Sequence, residues 1–279
     1  MKQEQKDTYE DFLNFALFLS EVAEHRIMPY YQNCLVEMKP DGTEVTRADR
    51  EAEKAIGEMI QRRFPEHAIL GEEFGETNPG QSPYRWIIDP LDGTTVFSLG
   101  TPNFGTLVAL LKNDEPIVGV IHLPVLHETV CAAKGLGCWF RVADRDPVPV
   151  KVRSTTRLKD AIASSCGVHG SDIFLDNGDV PYNLTALIHQ VKKFRFLGDC
   201  TQHALVCRGR IDLAIDTVMM PWDIAAIIPC IREAGGVAST LSGDQHGVVF
   251  GGSLIISCHT SLHEEALDLL QPKPYRNGL

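Results

Sequence analysis

The chain has 279 residues, of which 44% are hydrophobic and 23% charged, and its formal net charge is −11. That length can bury a sizeable core, and no low-complexity tract interrupts it. The acidic balance argues against a nucleic-acid partner, because binding to a phosphate backbone is carried by basic patches; a phosphorylated small molecule met through bound cations stays open.

Residues 1–11 are polar and lack the apolar core of a secretory signal, and no apolar run is long enough to span a membrane. The cytoplasm is therefore the expected location, with no membrane partner. The eight cysteines are scattered without a C-x-x-C pair and are expected as reduced, mostly buried thiols. The ten histidines show no zinc-binding spacing.

In chain order, Thr8 and Asp11 form a capping pattern before Phe12, Ala16, Leu19, Ala23 and Ile27 at helical spacing, with Pro29 at the end. Lys39–Glu44 has turn chemistry. Thr46 and Asp49 cap a second amphipathic helix carrying Ala52, Ile56, Met59 and Ile60, closed by Pro65. Ala68–Leu70 reads as a strand leading into Gly71-Glu72-Glu73. Trp86–Ile88 is a buried strand end, and Pro90, lacking an N–H, is expected to stop the ladder and turn the chain. Thr94 and Thr95 then open a helix.

Thr106–Leu111 and Ile117–Leu123 flank the polar turn Lys112–Glu115 as a hairpin, and Glu128–Ala133 adds a strand. Gly135, Gly137 and Asp144–Pro149 suggest a seam, dividing the chain into subdomains 1–145 and 146–279. Beyond it, strands and helices alternate: Ala161–Ser165, a loop rich in Gly and Asp, a helix near Tyr182–Gln190, strand Phe194–Leu197, helix Thr201–Arg208 and strand Ile211–Ile215. Pro221-Trp222-Asp223 starts a helix, Ile224–Ala234, that Gly235-Gly236 stops. Leu254–Ser257 is a strand, and Ser261 with Glu264 caps the last helix. The fold class is α/β, layered, with mixed sheets.

Acids recur at strand ends or in first helical turns: Glu72 and Glu73, Asp89 and Asp92, Asp49, and Asp223. Singly, such acids are accounted for by favourable placement near helix N-termini and in turns. Together they suggest an oxygen-rich site for Mg2+, which prefers carboxylates, carbonyls and water.

Gly71-Glu72-Glu73, Asp89-Pro90-Leu91-Asp92-Gly93-Thr94 and Trp222-Asp223-Ile224-Ala225-Ala226, in this order and spacing, resemble the inositol monophosphatase family of Mg2+-dependent phosphatases. The resemblance runs from the first helix to the last strand. It implies an α-β-α-β-α sandwich, a homodimer, and two to three Mg2+ per active site. One ion would be held by Glu72, Asp89 and the Leu91 carbonyl, a second by Asp89, Asp92 and Asp223, and a third, weaker one by Glu72 and water. The implied catalytic residues are Thr94, which helps orient the attacking water, its partner Asp49, and Glu72. Backbone N–H groups of Gly93 and Thr94 would take phosphate oxygens, and the substrate would border Asp92, Asp199, Asp216 and Asp223. A catalytically silent relative would have lost a ligand, and Glu72, Asp89, Asp92, Thr94 and Asp223 are all present.

Within the family, Gly105-Thr106-Leu107 and Gly198-Asp199-Cys200 are similar to the histidinol-phosphatase branch, which acts in histidine biosynthesis. Asp199 also suits a helix N-cap. Asp216 stands where inositol phosphatases carry a substrate-contacting Glu, one methylene longer. The expected substrate is a small phosphate monoester, histidinol phosphate before inositol 1-phosphate, with Asp199 and Asp216 as candidate partners of an ammonium.

Overall fold

The computed structural model describes residues 7–40, 42–80, 82–174 and 182–271. Of the expected turn Lys39–Glu44, position 41 lies outside them, as does part of the loop rich in Gly and Asp. The first half runs α1 (Tyr9–Ile27), β1 (Val36–Met38), β2 (Glu44–Thr46), α2 (Arg47–Arg63), β3 (Ala68–Gly71), β4 (Gly75–Thr77), β5 (Tyr84–Asp92) and α3 (Thr94–Ser98). The strands β6 (Gly105–Lys112), β7 (Glu115–Leu123), β8 (Glu128–Ala133), β9 (Cys138–Val142) and β10 (Val148–Pro149) follow. The second half runs β11 (Ile162–Ser165), α4 (Leu184–Gln190), β12 (Lys193–Phe196), α5 (Asp199–Cys207), β13 (Leu213–Asp216), α6 (Pro221–Ala225), α7 (Ile227–Glu233), β14 (Val237–Ser239), β15 (Leu254–Ser257) and α8 (Thr260–Leu270).

Eight strands form one sheet in the order β10-β9-β8-β7-β6-β5-β3-β4, and five form another, β12-β11-β13-β15-β14. Both are mixed: β3 and β5 are parallel in an otherwise antiparallel sheet, while β11, β12 and β13 are parallel beside antiparallel β14 and β15. The strands carry near-continuous apolar runs because both faces are covered. Trp86 and Ile88 point into a core shared with α1 and α2, whereas Ile87 between them points into a core shared with α5, α6 and α7. Across the middle helices, Ala214 joins that second core, while Leu213 and Ile215 meet α8 on the far side. The result is five layers, helices–sheet–helices–sheet–helices.

Local signals explain the element ends. Thr8 with Asp11, and Thr46 with Asp49, form complete capping boxes for α1 and α2. Asn113 and Asp114 take positive φ (51° and 61°), the two-residue turn that matches strand twist, so β6 and β7 pair from Lys112 and Glu115 onward. At Gly119 on β7 the chain meets another backbone directly: a Cβ there would lie 2.1 Å from the Ala226 carbonyl oxygen. Only a hydrogen fits.

Several expectations are corrected. Pro90 does not end its strand. β5 continues to Asp92 through a bulge, three steps from Asp89 to Asp92 against two on β6 from Leu107 to Gly105. A bulge tolerates the missing N–H, and the Pro90 carbonyl accepts from Thr106 Oγ1 at 2.8 Å. The helix expected over Ile224–Ala234 is two, α6 and α7, broken at Ala226. Pro229 has no N–H for the Ala225 carbonyl, which breaks the ladder there. The last helix is capped by His259, whose side chain accepts from Ser261 N, and no Ser261–Glu264 box forms. The stretch after Gly135 builds β9 and β10, so the first sheet runs a few residues beyond position 145. Its largest core also joins both halves of the chain.

Candidate active site

The β5 bulge turns Asp89 and Asp92 toward the start of α6, where Asp223 sits in the first turn with its Oδ2 accepting from Met220 N at 2.7 Å. One oxygen from each of Asp89, Asp92 and Asp223 lies within 4.8 Å of the others. Asp89 is buried, and its Oδ1 accepts from Leu91 N at 2.9 Å. Asp92 Oδ2 accepts from Cys200 N at the start of α5. These carboxyls come from two elements in two layers, β5 of the first sheet and α6 of the middle helices.

Burial pushes Asp89 and Asp92 well above the ordinary carboxylate range, and repulsion from neighbouring acids adds to it. Asp223 is pushed up to about 6, mainly by burial. Glu72, just past β3, is raised by burial and by Asp223 and Asp49, while Lys39 pulls it back. Lys39 Nζ bridges Glu72 and Glu73 at 2.9 and 2.6 Å. Converging buried carboxylates that repel one another, all hard oxygen donors, fit a divalent cation such as Mg2+.

Thr94 opens α3 after Gly93, whose φ of 91° only glycine adopts freely. The Thr94 hydroxyl donates to Asp49 Oδ1 at 3.0 Å and lies 3.3 Å from the Leu91 carbonyl. The other oxygen of Asp49 accepts from Thr46 N and Oγ1, at 2.8 and 2.6 Å. One carboxylate thus caps α2 and holds Thr94. Its pKa is raised by burial, against the pull of those bonds.

Asp199 is not the side-chain cap of its helix. α5 starts at Asp199 itself, two residues before the expected Thr201, with Gly198 at the cap position and no side-chain cap bond. Asp199 is held at φ 43°, a left-handed conformation unusual outside glycine. Its carboxylate accepts from Cys166 Sγ at 3.2 Å, and its Oδ2 lies 3.0 Å from where a Cβ on Gly93 would stand. Asp199 therefore lies over the turn that begins α3. Asp216, in contrast, is buried and spends its oxygens on Gln202 Nε2, His203 Nε2 (2.7 Å) and Cys166 N (3.0 Å). Those bonds do not suit the ammonium partner expected of it. A cleft of about 120 Å³ is lined by Asp92, Cys166, Asp199, His203, Asp216 and Asp223. A larger cleft of about 700 Å³ between the β6–β7 turn and β14 contains none of these carboxylates.

The sequence model of the inositol monophosphatase family matches residues 8–274. The chain belongs to the inositol monophosphatase family. It is 35% identical over 259 residues to a histidinol-phosphatase of Chlorobaculum parvum, covering 90% of this chain and 93% of that one. An inositol monophosphatase from Zymomonas mobilis superposes with a TM-score of 0.81 at 27% identity, over 95% of this chain and 100% of the other. An IMPase/NADP phosphatase complexed with Mg2+ and phosphate shares the fold, with a TM-score of 0.82 at 21% identity over 97% of this chain and 100% of its own. The family is one of phosphatases, and this member keeps an acidic cluster at the β5–α3 turn.

Three residues around the site, Lys39, Cys166 and His203, escaped sequence reading, as did Glu53, which lies behind it and bonds the Glu73 and Phe74 amides. Glu53 had a usable signal, standing one helical turn after Asp49 on the same face of α2. Cys166 and His203 are brought in by β11 and α5 alone, with no local pattern to mark them.

Proposed function

We propose that the protein is a Mg2+-dependent phosphomonoesterase whose preferred substrate is histidinol phosphate, hydrolysed to L-histidinol and phosphate. The observation that carries the substrate is Asp199, a carboxylate held in a strained conformation over Gly93 and, among the described residues, without a cationic side chain bonded to it. Histidinol phosphate brings an ammonium beside its phosphate; inositol 1-phosphate brings only neutral hydroxyls. A charge-assisted hydrogen bond to that ammonium is worth about 1.5–3 kcal/mol, or tenfold to a hundredfold in discrimination.

Glu72, Asp89 and the Leu91 carbonyl would hold one cation, and Asp89, Asp92 and Asp223 another. Mg2+ held by these residues would supply charge neutralisation for the phosphate dianion, a more acidic water and stabilisation of the leaving alkoxide. The N–H groups of Gly93 and Thr94 receive phosphate oxygens at the start of α3. Because the Thr94 proton is engaged by Asp49, its oxygen is free to accept from the attacking water and aim a lone pair at phosphorus. Asp49, with its pKa raised by burial, is suited to take up a proton relayed through Thr94.

Inositol 1-phosphate is the second reading, supported by the likeness to the Zymomonas mobilis enzyme. Side-by-side phosphate release from the two substrates, with and without Mg2+, tests the proposal. The expected result is a higher kcat/KM for histidinol phosphate, which Asp199→Asn erodes selectively. Preference for inositol phosphate, or an equal loss on both substrates in the variant, rejects the histidinol reading. Full turnover in the presence of a chelator rejects the metal.

A further inference from the structure

Glu53 lies on α2, one turn after Asp49, and is 4% exposed. Its two oxygens are used separately: Oε2 accepts from Glu73 N at 2.7 Å and Oε1 from Phe74 N at 3.0 Å. Both amides belong to the turn between β3 and β4, closed by the pairing of Gly71 with Gly75. Gly71 fits flush against the same carboxylate, since a Cβ there would lie 1.9 Å from Glu53 Oε1. The turn is thereby gripped from within by one group at three points, Gly71, Glu73 and Phe74. Between these points stands Glu72, whose side chain bonds Lys39, as that of Glu73 also does, and whose charge acts on Asp89 of the acidic cluster.

We propose that Glu53 is a positioning residue for the metal site: its carboxylate, bonded to two backbone amides and packed on Gly71, sets the direction in which Glu72 is presented to the cation. This rests on the metal-dependent reading above. A single amide bond would satisfy one donor and leave the turn free to swivel about it. Two bonds to the two oxygens of one carboxylate remove that rotation, and the missing Cβ at Gly71 lets the grip close. Partners that orient a ligand from behind commonly govern metal affinity by about 10–100-fold without touching the ion.

The test is Mg2+ binding by titration calorimetry on the metal-free wild type, Glu53→Gln and Gly71→Ala, with melting temperature in chelator as the measure of folding. Wild type comes first: if it binds no Mg2+, the metal-dependent reading falls and takes this one with it. With wild type binding, Glu53→Gln is expected to weaken Mg2+ by about tenfold or more. Phosphate release should recover to within about twofold of wild type once Mg2+ saturates, because no group that touches substrate has changed. A folded Glu53→Gln protein with wild-type Mg2+ affinity overturns the role of Glu53 alone and leaves the metal-dependent reading standing. Gly71→Ala approaches from the other side. Gly71 is outside the left-handed region, and the three atoms nearest its added methyl all belong to the Glu53 carboxylate. It should weaken Mg2+ in the wild-type background and be silent in Glu53→Ala. If Glu53→Gln does not fold, Gly71→Ala decides, and wild-type Mg2+ binding in that variant overturns the proposal.

Discussion

Thr94 donates its hydroxyl to Asp49 Oδ1 at 3.0 Å, joining the start of α3 to the first turn of α2 across 45 positions of sequence. Because the other Asp49 oxygen caps α2, the start of that helix and the proposed catalytic contact rest on one carboxylate. Asp49→Asn keeps the volume but removes the charge and one acceptor. We expect kcat to fall about 100-fold or more with KM little changed, and stability to fall by about 1 kcal/mol as the cap weakens. Steady-state kinetics and a urea melt of one variant read both, and a normal kcat would remove Thr94–Asp49 from the mechanism.

Asp92→Asn and Asp223→Asn should abolish turnover at ordinary Mg2+ yet make the metal-free protein more stable. Each removes a buried charge whose neighbours repel it, while the amide oxygen can still accept from Cys200 N or Met220 N. A gain of about 0.5–2 kcal/mol is expected, the usual return from relaxing a strained functional site. Melting in chelator measures it; a loss of stability in both variants contradicts the picture of mutual repulsion.

The metal-free site should also give stability and Mg2+ binding opposite responses to pH. Asp223 goes from 3.8 in the unfolded chain to about 6 in the fold, so between those values the folded protein holds more protons. Stability without metal therefore falls as pH rises through that window. Mg2+ competes with the same proton, so its stabilising shift in melting temperature should grow over the same range. Calorimetric scans with and without Mg2+ at several pH values provide the check, and a pH-independent shift would argue against Asp223 as a ligand.

His67 gives a test away from the site. Trp86 Nε1–H donates to His67 Nδ1 at 3.2 Å, so that nitrogen carries no proton, and burial lowers the pKa of the ring from 6.5 to about 4. The unfolded chain binds more protons between those values, so stability is lost as pH falls from 6.5 toward 4. His67→Phe keeps the stacking on Phe64 and Tyr84 but leaves the indole N–H unpaired, costing about 1–3 kcal/mol at neutral pH. Its acid-induced loss should be shallower than that of the wild type. An identical pH slope in the variant assigns the effect to other groups.

Much of this architecture was legible because its signals are local. The capping boxes at Thr8 and Thr46 start their helices at the expected residues, and the Asn113-Asp114 turn sets the hairpin. Where the reading failed, tertiary pairing decided. Pro90 forbids an N–H bond but not a bulge, and only the presence of β6 alongside shows which applies. The edge strands β1, β4 and β14 are three residues each, too short for a periodicity to register. In the site, the acidic positions were visible as a set, whereas the difference between Asp199 and Asp216 was not. Both border the cleft, but Asp199 lies over Gly93 whereas the oxygens of Asp216 are taken by Gln202 and His203, a distinction made by α5 folding back on β13.

The contact at Gly119 sets the scale of this site. There a strand of the first sheet touches the Ala226 carbonyl without any side chain between them, three residues after Asp223. The height of Asp223 above Asp89 and Asp92 is thus gauged by backbone against backbone, a spacing that repacking of neighbouring side chains leaves untouched. A methyl added at position 119 would act as a shim under the helix junction, lifting one corner of the carboxylate triangle from beneath. The single hydrogen of Gly119 is thus the spacer between the first sheet and the helix junction that follows Asp223.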